Sequence, residues 1–299
     1  MAASATFRVR RSLPQTVGGV VTAQEQQTSL VRVLVNGFSG RMGGQVIDAL
    51  SHTSDLEIVG GVRRSPQEVF LLPDGSRTVP VFSNVDSAIE ACAPQVVVDF
   101  TNAEVARASA WAAASAGINL VIGSTGLGKA DLEGLSHLAS QHQVGIVVAS
   151  NFAIGAVLLT YLSRISARHF DYAEIVETHH EKKIDSPSGT SLEIARALNA
   201  GRSIPFAPPM AGKQVVEGTR GGEMEGVPIH AVRMSGRLAH HEVILGVAGQ
   251  TLTLRHDTVD RECYMPGVIA AIRSVRRYAG KVVGMEEVLG LSGRATLQL

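Results

Sequence analysis

Cysteine is almost missing from this chain of 299 residues; only Cys92 and Cys263 occur. Two such distant cysteines form neither a disulfide framework nor a metal-ligand spacing, and they suit a reducing compartment. Aromatic residues make up only 4%, too few for the stacking platforms that hold single-stranded nucleic acid. Neither sign of charge is in excess, with 27 basic and 27 acidic residues. That balance argues against nucleic acid as the main partner and leaves room for a local cationic pocket holding a small anion. No apolar run is long enough to span a bilayer, so no membrane partner is expected. Acid is absent before Glu25, while arginine, serine and threonine recur. Residues 1–30 are therefore read as a flexible N-terminal extension of a cytoplasmic protein. The alternative is a transit segment leading to the plastid stroma.

Hydrophobic residues, at 45%, and 31 glycines are present in the proportions of a globular protein large enough for two domains. From Val31, short β-branched runs alternate with helical patterns: "VRVLVNG", "LEIVGGV", "VPVF", "PQVVVDFT", "INLVIGSTG" and "VGIVVASN" are separated by segments such as "AEVARASAWAAASAG". This predicts an α/β fold with a Rossmann-like parallel sheet buried on both faces. After Asn151 the pattern changes. A long helix over "AIGAVLLTYLSRISARHF", a strand "YAEIVETHH", a helix "TSLEIARALNAG" and three successive strands predict an α+β domain with a mixed sheet. Residues 201–222 read as a Pro/Gly-rich loop, and "PGVIAAIRSVRRYA" as a last helix. The expected division is a dinucleotide-binding domain, 31–152, completed by 265–299, and a substrate-binding and oligomerisation domain, 153–264.

"VNGFSGRMGG" places Gly37, Gly40 and Gly43 between the first strand and a helix. Backbone amides at such a helix start can cradle a pyrophosphate. An acid some 20 residues on would favour NAD; the second strand ends instead in Arg63 and Arg64. Their guanidinium groups match a ribose 2′-phosphate, so NADPH is the expected cofactor, with NADH as a second possibility. Later strands end in small polar residues at Thr101, Gly123 to Gly126, and Ser150 to Phe152, where an open parallel sheet binds its ligand.

The stretch "ETHHEKKIDSPSGTS", residues 177–191, combines a proton donor with an anion site. Thr190 and Glu193 have capping-box spacing at a helix start, and free amides there attract a carboxylate. Lys183 adds a positive charge, and His179 and His180 stand at a strand end facing opposite ways. Histidine is the usual general acid near neutral pH. A solvated loop before a capped helix accounts for the same residues. No metal site is expected: "HHEKK" is not H-E-x-x-H, and His230, His240, His241 and His256 read as strand and turn residues.

With "GFSGRMG", "VDFT", "GSTG", "ASNFAIG" and, most specific, "HHEKKIDSPSGT" assembled, the chain from about Val31 onward resembles the dihydrodipicolinate reductases, also called 4-hydroxy-tetrahydrodipicolinate reductases, of the diaminopimelate route to lysine. The last motif is close to a family signature E-x-H-H-x-x-K-x-D-x-P-S-G-T. The resemblance implies NAD(P)H-dependent reduction of a cyclic imine bearing two carboxylates. It makes His179 the general acid/base and Lys183 its cationic partner. His180, Lys183, Gly189 and Thr190 become the carboxylate-binding set. Cofactor contacts fall on Gly37, Phe38, Ser39, Gly40, Arg41 and Met42, on Gly123, Ser124 and Thr125, and on Ala149, Ser150, Asn151 and Phe152. Arg63 stands where NADH-tolerant members carry an acid. A homotetramer built through the second domain's sheet is implied. Phe38 and Ser39 depart from the smaller residues usual in the family's loop, and "SGRLAHHEVILG" replaces a more common "GD-x-x-GEH" segment. Two other functions compete: a different NADP-dependent dehydrogenase of amino-acid metabolism, and a non-catalytic NADP-binding sensor. The first lacks a reason for the HH-x-x-K…PSGT segment, and the second has no need of His179 and Lys183.

Overall fold

The computed structural model describes residues 30–65, 69–207 and 213–292. The expected extension over residues 1–30 therefore lies, except for Leu30, outside the described residues. In chain order the first half contains β1 (Val31–Asn36), α1 (Arg41–Ser51), β2 (Leu56–Val62), β3 (Val69–Leu71), β4 (Thr78–Phe82), α2 (Val85–Cys92), β5 (Val96–Asp99), α3 (Ala103–Ser115), β6 (Asn119–Ile122), α4 (Lys129–His142) and β7 (Ile146–Val148). The second half contains α5 (Ile154–Ser166), β8 (Tyr172–His179), α6 (Gly189–Ala200), β9 (Gly222–Met224), β10 (Val227–Arg233), β11 (Ala239–Val247) and β12 (Gln250–Thr258). It closes with α7 (Met265–Ser274), β13 (Val282–Val283) and α8 (Met285–Val288).

The first sheet has eight strands in the order β13-β7-β6-β5-β1-β2-β4-β3. All its pairings are parallel except β3 with β4. Alternation within β1 shows why the strands are apolar throughout. Val33 and Val35 join a core with Val46, Ile47 and Leu50 of α1. Leu34 joins the opposite core with Ala106, Ala110, Ala113 and Ala114 of α3. Those small residues let α3 lie close to the sheet. The chain end returns to this sheet: β13 pairs with β7, and Val268, Ala271 and Ile272 of α7 complete the α1 side of the core.

The second sheet has the order β12-β11-β8-β10-β9, with β8 and β10 parallel and the other neighbours antiparallel. Ala173, Ile175, Glu177 and His179 form the buried row of β8. Ala173 and Ile175 pack with Leu159 of α5 and Ile194, Ala195 and Leu198 of α6. The row is thus apolar at one end and ionisable at the other.

Three short strands, β3, β9 and β13, were not predicted. Two or three residues carry no readable period, and their extended form comes from a neighbour's hydrogen bonds. The long helix expected from Ala153 ends at Ser166 and tightens into a 3-10 turn, Ala167–His169. The last helix likewise ends at Ser274 in a 3-10 turn over Val275–Arg277. Tightening of a final turn is a common way to use leftover carbonyls. Among the described residues no helix is long and apolar enough to cross a membrane.

Candidate active site

Strand β1 lies between β2 and β5, from which the chain proceeds in opposite directions across the sheet. A crevice at the carboxyl end of such a switch point is where open α/β sheets bind nucleotides. The loop leaving β1 is shaped for backbone approach. Gly37 has φ of +82°, a conformation that L side chains rarely adopt. At Gly43, a Cβ would lie 2.2 Å from the Gly37 carbonyl oxygen, so α1 packs directly on the loop. The N-cap of α1, Gly40, offers no side-chain cap, which leaves first-turn amides for an anion. Beneath these loops Asp99, fully buried, accepts hydrogen bonds from Asn36 (2.8 Å), Thr101 (2.6 Å) and Ser124 (2.7 Å). This network ties the ends of β1, β5 and β6 together. The donor set and the glycine cradle fit a pyridine dinucleotide.

Two of the predicted cofactor residues face inward. The Phe38 side chain is only 4% exposed. It packs edge-on against Phe70, with centroids 5.2 Å apart, and over Gly61, whose missing Cβ would lie 2.9 Å from its ring. An aromatic ring is better accommodated in this core than at a phosphate, so only the Phe38 backbone is left for the loop. The Ser124 hydroxyl is likewise turned to Asp99. The Arg63 guanidinium lies 5.8 Å from the Phe38 ring centre, within reach of a cation–π contact, while Arg64 is exposed.

On the side of the second sheet, β8 delivers His179 to the end of its buried row, and α6 starts ten residues later. The cap of α6 differs from expectation. Ser188, not Thr190, is the N-cap and accepts from the Ser191 amide at 3.2 Å. Glu193 is turned instead toward Ser150, which donates to it at 3.3 Å. The cause is tertiary: Ser188 is held by both Glu177 and His241. Its amide donates to Glu177 at 3.0 Å, and its Oγ is 3.1 Å from His241 Nε2. Lys183 Nζ is paired with Asp185 at 2.8 Å.

These two sides open into one cavity of about 930 Å³. Met42, Gly123, Thr125, Ser150, Asn151 and Phe152 line it from the first sheet. His179, His180, Lys183, Gly189 and Thr190 line it from the end of β8 to the start of α6. Gly37, Phe38, Ser39, Gly40, Arg63, Arg64, Ser124 and Ala149 lie off this cavity, and Arg41 borders a neighbouring hollow with Met42 and His180. Sequence reasoning missed Glu177, Ser188, Arg233, His241, His256 and Arg261. His241, His256 and Arg261 line the cavity. Glu177 and Arg233 stand behind it, 2.7 Å apart. His241 was read as an ordinary strand residue, but pairing of β11 with β8 sets it opposite Glu177. One signal was readable: alternation along β8 assigns Glu177 to the buried face, an anomalous place for an acid.

Burial pushes His179 and His241 down to about 4. Glu177 opposes this at His179, and Lys183 and Arg233 add to it. Burial alone would raise Glu177, but hydrogen bonds from Ser188, Ser191 and Arg233 outweigh it and hold the carboxyl at about 2. A histidine whose folded pKa lies below its unfolded value, near 6.5, stabilises the fold while neutral. That contribution is complete above the unfolded pKa and is lost as pH falls toward 4. Glu177 adds a loss from about 4.3 down to its folded value. The melting temperature is therefore expected to be flat from pH 8 to 7 and to decline from pH 6.5 downward. Scanning fluorimetry checks this, and a flat Tm between pH 7 and 4.5 would contradict it.

A dinucleotide crevice opening onto a site with an imidazole, an ammonium and a free helix N-terminus defines a class: a nucleotide-dependent oxidoreductase acting on an anionic substrate. Comparison with known proteins narrows it. The family models described as dihydrodipicolinate reductase, N-terminus, and dihydrodipicolinate reductase, C-terminus, match residues 31–152 and 155–289. The 4-hydroxy-tetrahydrodipicolinate reductase of Dehalococcoides mccartyi is 40% identical over 87% of this chain and 99% of its own. That of Moorella thermoacetica is 41% identical over 87% and 98%. The dipicolinate-bound dihydrodipicolinate reductase of Paenisporosarcina sp. TG-14 superposes with a TM-score of 0.77. It is 33% identical and covers 86% of this chain and 98% of its own. The chain belongs to the dihydrodipicolinate reductase family.

Proposed function

We propose that the cavity binds a cyclic dicarboxylate beside the nicotinamide end of NADPH and that His179 supplies the proton for its reduction. The overall reaction follows from family membership: NAD(P)H-dependent reduction of 4-hydroxy-tetrahydrodipicolinate in lysine biosynthesis. One observation carries the site assignment. The strand ends of the nucleotide domain and the His179–Lys183–Gly189–Thr190 segment line the same cavity.

The bound dinucleotide supplies hydride. The chain's own residues do the rest. Amides of Gly189 and Thr190 at the start of α6 take one carboxylate. Lys183, now paired with Asp185, exchanges that partner for a substrate carboxylate, with His180 beside it. With the 4-hydroxyl lost as water, the resulting conjugated imine would be left with an electron pair on accepting hydride, and His179 would protonate it. Ser150–Glu193 and Asn151–Thr190 contacts at 3.3 and 3.5 Å hold the nucleotide-side loop against the start of α6.

NADPH is preferred over NADH through Arg63 and Arg64. Support comes from the Arg63 position at the end of β2, propped on the Phe38 ring. Arg63→Glu is expected to lower the NADPH-to-NADH ratio of kcat/KM roughly 10- to 100-fold, the worth of one charge-assisted contact. The assay couples substrate synthesis in situ to separate oxidation of NADPH and NADH. Equal ratios in both proteins would remove the assignment. Absence of oxidation by folded wild type would remove the reductase reading itself.

The protein acts as a homotetramer through the open face of the second sheet. Support is the half-buried Val176 and Ile244 and the 39%-exposed Val232 on its outward rows. We place it in the cytoplasm, in keeping with two unpaired cysteines. A plastid location holds if residues 1–30 serve as a transit segment.

A further inference from the structure

We propose that Glu177 is the positioning residue of the proton donor: it anchors His179 through Nδ1, keeps Nε2 toward the cavity, and ties the donor to the carboxylate-binding start of α6. The inference rests on His179 being the donor.

The geometry begins with strand period. Glu177 and His179 are two apart on β8 and share its buried face. Glu177 Oε2 lies 3.7 Å from His179 Nδ1. That nitrogen is buried and has no hydrogen-bond partner among the described residues, while the ring lines the cavity. A buried polar nitrogen without a partner is costly. A ring movement of under about 1 Å brings Nδ1–H within hydrogen-bond range of Glu177. The carboxylate itself is held tightly. It is fully buried and accepts from Ser191 Oγ at 2.6 Å, Arg233 at 2.7 Å and the Ser188 amide at 3.0 Å.

Ser188 is the N-cap of α6. One carboxylate therefore fixes both the imidazole and the helix start whose next residues, Gly189 and Thr190, line the cavity. Arg233 also donates to the Asp185 carbonyl at 2.8 Å, which attaches the Lys183 loop to the same centre. The substrate's anion site and its proton source are thus referenced to a single group, which is what near-attack geometry requires.

The charge balance gives Glu177 a second task. The groups facing His179 are Glu177 on β8, Lys183 and Asp185 on the loop, Arg233 on β10 and His241 on β11, with His256 on β12 beyond His241. In the unliganded cleft Lys183 and Arg233 oppose protonation of the ring. A bound dicarboxylate offsets Lys183, and Glu177 then balances the imidazolium from the Nδ1 side. His179 gives its Nε2 proton to the substrate atom that holds the new electron pair and becomes neutral. It regains a proton from solvent when the next dicarboxylate binds and offsets Lys183. The arrangement follows the logic of carboxylate–histidine pairs in which the acid sets tautomer and orientation without itself taking the proton.

The test compares E177Q and E177D with wild type and H179Q, reading the pH profile of kcat in the coupled assay. In E177Q the alkaline limb is expected to move down by about one pH unit, and kcat near pH 7.5 to fall roughly tenfold or more. E177D is expected to restore part of both. A rate loss with an unmoved limb overturns the proposal and makes Glu177 a structural residue. Unaffected turnover in H179Q overturns the reading beneath it, whatever E177Q does. Because E177Q leaves Arg233 without its partner, a wild-type measurement stands beside it. ¹⁵N spectra of the imidazole at pH 8 are expected to show the Nδ1–H tautomer. The Nε2–H tautomer at pH 8 overturns the proposal.

Discussion

Replacing His179 with glutamine is expected to lower kcat by about 10²- to 10⁴-fold, the usual contribution of a positioned acid. Dinucleotide affinity should stay within about threefold, because His179 lies at the end of β8 and the glycine cradle follows β1. Glutamine retains polar atoms and approximate length, so the 6%-exposed position is not left as a void. The change removes the group that can hold and release a proton at neutral pH. The measurement pairs the coupled assay with dinucleotide titration by fluorescence. A kcat within tenfold of wild type would exclude His179 as the donor. A parallel loss of dinucleotide affinity would point to a collapsed cleft instead. If Lys183 Nζ holds a substrate carboxylate as proposed, its loss should show mainly in KM.

Gly43→Ala is expected to be the most damaging single methyl in the layer of the first sheet. The added Cβ would stand 2.2 Å from the Gly37 oxygen and 2.6 Å from the Phe38 Cα. Both contacts are backbone, so no side chain can swing aside. Either α1 lifts from the loop or Gly37 loses its φ of +82°. Overpacking of this kind costs about 1–3 kcal/mol or more, a fall of roughly 5–10 °C in Tm for a domain of this size. Because the same movement spreads the amides of the cradle, dinucleotide affinity should drop at least about tenfold. Gly44→Ala is the control. Nothing lies within 4 Å of its Cβ, and alanine is worth about 1 kcal/mol over glycine inside a helix. That variant should bind dinucleotide normally and melt no lower than wild type. Equal behaviour of the two variants would mean that α1 does not depend on close contact with the loop.

Several parts of the molecule were written locally. Val33, Leu34 and Val35 form an unbroken apolar run because β1 is buried on both faces, whereas β8 alternates because only one face is covered. Gly37, Gly40 and Gly43 were recognisable because the turn between a strand and a helix needs residues without Cβ. His179, Lys183, Gly189 and Thr190 were recognisable because one segment of 12 residues holds a histidine, a lysine and a helix start. In each case the pattern depends on neighbours along the chain, so spacing makes it visible, while the roles of His179, Lys183, Gly189 and Thr190 came from the family resemblance.

Other parts depended on which strand meets which. Pairing of β11 and β10 with β8 brings His241 opposite Glu177 and Arg233 opposite His179, across more than 50 positions of sequence. Period 2 tells which face a residue takes, but register is settled by turns and packing between strands. For the same reason the cap of α6 moved to Ser188, which the Glu177 and His241 side chains hold from another layer. Phe38 turned into the core because Phe70 and Gly61 leave room for its ring. Strand β13 and helix α7 returned to a sheet begun more than 200 residues earlier, where the exposed edge of β7 and the face of α1 remained to be covered. The sequence by itself determined the fold class, the glycine loop after β1 and the segment that carries His179 and Lys183. Tertiary structure decided what stands behind His179, because a buried carboxylate can be tolerated only where partners from several strands converge on it.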